Sequence, residues 1–294
     1  MTATLSSFVS PADGTTLATY SWEGVAEPRG VVQVAHGIAE HALRYDRLAG
    51  ALMAAGFRVH ATDHRGHGRS VTSAAGLGHF GAPGFPGLIA DVAAYGQALV
   101  DGADGLPVFL VGHSMGSFAA QAVIQQHSDL YAGVVLFGST ALDVLAQGMA
   151  AAATASDAGP AGLEAFNAGF EHRTGYEWLS RDEAEVDRYV ADPLAGFDLP
   201  DDAVPALFGV APQLADPELL AGIRPDLPLL LVSGSDDPLA GGGALVELLG
   251  DRYRQAGVSD VTTTLYQGAR HEIFNETNRD EITAAVVAWL QAHG

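Results

Sequence analysis

The chain alternates short runs that are apolar on both faces with longer stretches of helical period. Residues 31–35, 58–62, 107–111 and 133–137 are strand-like, the third ending in Val-Phe-Leu-Val and the fourth in Val-Val-Leu-Phe. Between and after them, residues 45–55, 88–100 and 115–126 carry the pattern of helices. A strand buried on both faces needs helices above and below it, so this rhythm predicts an α/β fold with a doubly wound, mostly parallel sheet. Strands at 229–233 and 261–266 and a closing helix at 279–292 resume the rhythm after a long interruption.

That interruption begins with an alanine-rich stretch, passes through Phe166, Phe170, Tyr176 and Trp178, and becomes acidic from Arg181 to Asp202. It is too long for an ordinary loop, and open α/β sheets take their ligands at the carboxyl ends of the strands. The expectation is a helical cap: residues 1–139 and 227–294 form the core and residues 140–226 the cap. A second, independent domain is the alternative, and the lack of obvious strands in the segment speaks against it. Gly241, Gly242 and Gly243, with Gly159 and Gly162 inside the insertion, are candidate flexible points.

Composition narrows the chemistry. The 294 residues include 35 acidic and 14 basic ones, for a formal net charge of -21, and every basic residue is arginine. Without lysine there is no Schiff base and no P-loop lysine. The acidic balance predicts no nucleic-acid partner and no attraction to anionic membranes. Without cysteine there is no disulfide, no thiolate nucleophile and no cysteine-ligated metal. The first ten residues lack the basic and apolar regions of a signal peptide, and no apolar run is long enough to span a bilayer, so the expected location is cytoplasmic.

One constellation carries chemistry. Gly112-His113-Ser114-Met115-Gly116 lies directly between a buried strand and a helix. There G-x-S-x-G forms a nucleophile elbow, whose glycines remove side chains that would collide in the tight turn. A serine hydroxyl needs a base, and a histidine base needs an acid to fix its tautomer. Both follow in the order this fold expects: Gly234-Ser235-Asp236-Asp237-Pro238 after one strand, and His271 after the last. Asp237 is the candidate acid, with Asp236 in reserve. Gly37 lets the chain turn after the strand at 31–35, so the amides of Ile38 and Met115 are the candidate oxyanion donors.

Three segments, His36-Gly37-Ile38-Ala39-Glu40-His41-Ala42-Leu43-Arg44-Tyr45, Asp63-His64-Arg65-Gly66-His67-Gly68-Arg69-Ser70 and the elbow itself, resemble the bacterial monoacylglycerol lipase and lysophospholipase group of the α/β-hydrolases, often filed with the serine aminopeptidase-like hydrolases. The resemblance covers nearly the whole chain and is weakest in the cap. It implies a carboxylic ester hydrolase with Ser114, Asp237 and His271 as triad, no cofactor, and a small-molecule ester as its partner. Ser117 departs from the group, which usually has a second glycine there; its side chain is expected to tighten helix packing or to reach the oxyanion loop. His36, Glu40, His41, His64 and His67 lack the H-E-x-x-H spacing of a metal site, so no metal is expected.

The leading expectation for substrate is an uncharged single-chain ester such as a monoacylglycerol, with Leu142, Leu145, Met149, Phe166 and Phe170 lining an apolar acyl site. An aminopeptidase-type hydrolase, holding a substrate ammonium on Glu171, Glu177 or Glu183, is the second reading. A non-catalytic ligand-binding protein is the third. The sequence leaves the oligomeric state open, a homodimer included.

Overall fold

The computed structural model describes residues 3–155 and 162–294. Eight strands, β1 (Thr4–Val9), β2 (Thr16–Trp22), β3 (Gly30–Ala35), β4 (Phe57–Thr62), β5 (Val108–His113), β6 (Gly133–Phe137), β7 (Leu229–Gly234) and β8 (Val261–Tyr266), form one sheet in the order β1-β2-β4-β3-β5-β6-β7-β8. From β4 to β8 every pairing is parallel, and β1 and β2 join antiparallel at one edge.

Alternation along the central strands explains the runs that are apolar on both faces. Leu110, Val134, Leu136, Leu229 and Leu231 enter one core, while Phe109, Val111, Val135, Phe137, Leu230 and Val232 enter the other. Successive side chains of a strand point to opposite faces, so both positions must be apolar when helices cover both sides. The helices of the core are α1 (Asp46–Ala54), α2 (Gly84–Gly102) and α3 (Met115–His127).

Between β6 and β7 the described residues hold helices and no strand: α4 (Leu142–Ala155), α5 (Glu183–Ala191), α6 (Ala203–Phe208), α7 (Ala211–Leu214) and α8 (Pro217–Leu220). Then α9 (Ala244–Gln255) and α10 (Arg279–Ala292) complete the fold. Gly159 lies outside the described residues, whereas Gly241, Gly242 and Gly243 all adopt positive φ, at 57°, 67° and 94°.

Strand β3 lies between β4 and β5, which its flanking crossovers reach in opposite directions across the sheet, so the loops after β3 and β5 leave the sheet side by side. This is the topological switch point at which open α/β sheets form their sites.

Candidate active site

Strand β5 continues through His113, so Ser114 is the first residue beyond it and the last before α3. Its backbone has φ 48° and ψ -118°, a conformation costing an L-residue about 1–3 kcal/mol. Neighbouring structure holds it there: the Ser114 amide donates to the Phe137 carbonyl at 3.0 Å, and its carbonyl accepts from the amides of Ser117 and Phe118 at 2.8 and 3.0 Å. Gly116 is required by space, since a Cβ there would collide with the Ala35 and His36 carbonyls at the end of β3. The Ser117 hydroxyl donates to the Ser114 carbonyl at 2.6 Å and lies 2.8 Å from the hydroxyl of Ser139. It therefore ties α3 to the end of β6 and does not reach the loop after β3.

Beyond β7 and β8 the chain brings Asp237 to His271, with Nδ1 of the ring 2.9 Å from Oδ2 of the carboxylate. Both are buried, whereas Asp236 is exposed and accepts from the Ser235 hydroxyl. Burial pulls the His271 imidazole down, but the charge and hydrogen bond of Asp237, with Glu272 and Glu40 beyond, outweigh it and hold its pKa above the ordinary histidine value. The segment at 177–180 braces this loop from above. The His271 amide donates to the Trp178 carbonyl at 3.3 Å, and the Trp178 ring lies 4.8 Å from the His271 ring. Arg270 donates to the carbonyls of Glu177 and Ser180 at 2.6 and 3.1 Å.

After β3, Gly37 keeps negative φ, so its absent side chain serves closeness, not torsion: a Cβ would stand 2.8 Å from Glu40 Oε1 and 2.9 Å from His113 Nδ1. Glu40 organises the loop. Its Oε1 accepts from the Gly37 amide at 2.5 Å and the Tyr45 hydroxyl at 2.7 Å, and lies 2.9 Å from His113 Nδ1. Its Oε2 accepts from Arg44 at 2.7 Å, and Arg44 also makes two bonds to Glu272, at 2.5 and 2.7 Å. The loop that carries Ile38 is thus linked through buried charge to the residue beside His271. Ala39, at φ 52°, is held by the amide of Gly196 and the hydroxyl of Tyr189, which donate to its carbonyl at 2.9 and 3.0 Å. As the first residue of α3, Met115 has no helical carbonyl one turn earlier for its amide.

Under this loop lie three buried histidine rings, with His36 4.2 Å from His64 and 5.3 Å from His67. His36 accepts from the His64 amide and lies 2.7 Å from the Gly37 carbonyl, so the group braces the loop. Desolvation pulls His36 to about 4 and His67 to about 3, so both are neutral at pH 7. Among the described residues no cluster has the arrangement of a metal site.

A cavity of about 700 Å³ opens over Ser114 and His271. Of the candidate acyl-site residues, Leu145, Met149 and Phe166 line it, as does Ile38; Leu142 and Phe170 do not. Leu142 is buried in the core, and Phe170 lies under the Arg270 guanidinium, 4.6 Å from the ring centroid. None of Glu171, Glu177 and Glu183 lines the cavity. Glu177 is committed to Asn167, Thr174 and the Gly175 amide, and the other two are exposed elsewhere. The carboxylates that do line it without a partner among the described residues are Glu164, Asp198 and Asp201. Nothing in the sequence separates these from other surface acids. Glu40 and Arg44, by contrast, stand four residues apart with opposite charge, a spacing that invites pairing, although Glu40 precedes the short turn at Ala42–Tyr45 that carries Arg44.

A family model described as serine aminopeptidase, S33, matches residues 26–278. The chain is 31% identical over 278 residues to the monoacylglycerol lipase of Mycolicibacterium smegmatis, covering 92% of this chain and 91% of that one. It is 30% identical to human monoglyceride lipase over 282 residues, covering 94% and 85%. Among solved structures, a thermostable carboxyl esterase from Bacillus coagulans in complex with glycerol superposes with a TM-score of 0.85 at 25% identity, covering 99% of both chains.

Proposed function

Because the chain belongs to the serine aminopeptidase family of α/β-hydrolases, and is therefore a hydrolase, we propose that it cleaves carboxylic esters through an acyl-enzyme on Ser114. His271 takes the Ser114 proton as Oγ attacks the carbonyl carbon, and Asp237 holds the imidazolium. The amides of Ile38 and Met115 receive the developing oxyanion, each donor contributing about 3–4 kcal/mol. Collapse of the intermediate breaks the bond to the alkoxy oxygen, to which His271 returns the proton. Water, deprotonated by the same histidine, then releases the carboxylic acid and restores the serine.

Residues 140–226 serve as the cap, and Leu145, Met149 and Phe166 supply apolar wall for an acyl chain. The substrate class is a single-chain ester without negative charge, of the monoacylglycerol kind. What supports this reading most directly is the bond from His271 to Asp237 in the same cavity as a serine held at positive φ.

The test has two parts. A fluorophosphonate should label the wild type on Ser114 and leave Ser114→Ala unlabelled, and kcat/KM on p-nitrophenyl esters should peak at medium or long chains, with 1-monoacylglycerol competing. Labelling elsewhere would remove Ser114 as the nucleophile. Activity confined to acetate, without competition, would remove the single-chain ester.

A further inference from the structure

Ile38 stands between two holds of different origin. On one side is Gly37, whose amide donates to Glu40 and whose carbonyl lies 2.7 Å from His36 Nδ1. The His64 amide donates to the other nitrogen of that ring, so His36 carries its proton on Nδ1 and gives it to the Gly37 carbonyl. These partners all precede β5. On the other side is Ala39, and among the described residues both hydrogen bonds to its carbonyl come from the segment between β6 and β7: the Tyr189 hydroxyl at 3.0 Å and the Gly196 amide at 2.9 Å.

Ala39 needs that hold. At φ 52° it is left-handed, a conformation that an L-residue other than glycine adopts at a cost. Once released, it relaxes to negative φ, and rotation there turns the Ile38–Ala39 peptide and displaces Ile38. No carbonyl among the described residues takes the Ile38 amide, so its direction depends on its neighbours in the chain.

The two donors form one body. Gly196 approaches the Tyr189 ring so closely that a Cβ would stand 3.0 Å from Cε1, and the ring is fixed further by Tyr176 at 5.1 Å and by the Arg44 guanidinium, 4.7 Å above its centroid. Between them Asp192 reaches His41 at 2.9 Å, a further tie to the same loop. Tyr189 and Phe197 line the cavity. One stretch of chain therefore walls the cavity and grips the loop after β3.

We infer that Tyr189 is a positioning residue for the oxyanion site: its hydroxyl, with the Gly196 amide beside it, holds Ala39 at positive φ and so keeps the Ile38 amide aimed at the developing negative charge. The assignment rests on the ester-hydrolase reading and adds to it a residue that acts through Ala39. An oxyanion donor meets its charge only at the transition state, so a donor turned out of line costs turnover and leaves substrate binding alone.

Tyr189→Phe removes one hydroxyl and leaves the Ala39 carbonyl its Gly196 partner; a melting curve checks that the variant folds. On p-nitrophenyl hexanoate its kcat should fall about 10-fold with KM within about 2-fold, a smaller loss than the roughly 100-fold or more that removal of a whole oxyanion donor costs. Octyl trifluoromethyl ketone, whose carbonyl carbon takes up the serine oxygen and becomes an oxyanion, should lose affinity by the same factor as kcat. The alcohol obtained by reducing that ketone forms no adduct and should bind as it does to the wild type. Ala39→Gly gives the second variant. Glycine takes positive φ without steric cost, so in that background Tyr189→Phe should lower kcat by no more than about 3-fold. Equal losses for ketone and alcohol, or an unchanged kcat, overturn the inference, and so does a Tyr189→Phe effect as large with glycine at 39 as with alanine. If the wild type binds the ketone no more tightly than the alcohol, the ester-hydrolase reading falls and the positioning role falls with it.

Discussion

Asp236 and Asp237 are neighbours in sequence with opposite surroundings, one exposed on a serine hydroxyl and the other buried against His271. Asp237→Asn should lower kcat/KM by about 10⁴-fold, because an amide favours the wrong imidazole tautomer; Asp236→Asn should stay within about 3-fold. Steady-state kinetics on a p-nitrophenyl ester decides between them. In the proposed mechanism His271 must be neutral to act as base, and Asp237 raises its pKa, so kcat/KM should fall on the acid side with a midpoint above the free histidine value of about 6.5. A pH profile whose acid limb lies below that value would contradict the assigned pair. The placement of Ser114, Asp237 and His271 beyond strand ends was legible because each follows a strand whose pattern is plain. Trp178 and Tyr189 were not legible in role, since an aromatic in a helical stretch reads as ordinary core; their part depends on contacts across about a hundred residues or more, to His271 and Ala39.

Elements with a run of apolar or β-branched residues, or a plain helical period, were the easiest to read. Strands β6 and β8 and helix α10 have the bounds expected from the pattern, and β5 runs two residues further, into the elbow. The antiparallel pair β1 and β2 was missed because its outer strand is largely exposed and shows no apolar alternation. Within the segment between β6 and β7, the part around α5 is fastened to the core. Arg279 pairs with Asp182 at 2.7 Å, Arg181 with Glu276 at 2.8 Å, and Arg47 with Glu185. Glu276 is fully buried and also accepts from the amides of Arg270 and Thr277. Arg181→Ala leaves that carboxylate with part of its partners, and should cost about 1–3 kcal/mol, read as a lower midpoint in urea at unchanged slope. An unaltered midpoint would mean that the pair does not fasten the segment.

For the whole molecule, buried neutral histidines set the response to acid. The folded-state pKa values of His36 and His67 are depressed, so below about 6.5 the unfolded chain binds protons that the folded one refuses. Stability therefore falls as pH falls, by about 2 kcal/mol for each of the two at pH 5 relative to pH 7.5. His64 acts in the same direction; His271, with a raised pKa, adds stability as pH falls through its folded-state value towards about 6.5, keeps it below that, and offsets part of the loss. The melting temperature should drop between pH 7.5 and pH 5, and a flat profile would contradict the burial of the three rings. Helix α3 has every residue from Met115 to Gln125 buried, and it starts directly after Ser114. Its amides have no local route to solvent, so in deuterated buffer they should exchange only when the entire chain opens. The serine then rides on the last part of the molecule to loosen: heat should extinguish turnover and melt the protein at the same temperature, with no inactive, still folded form between.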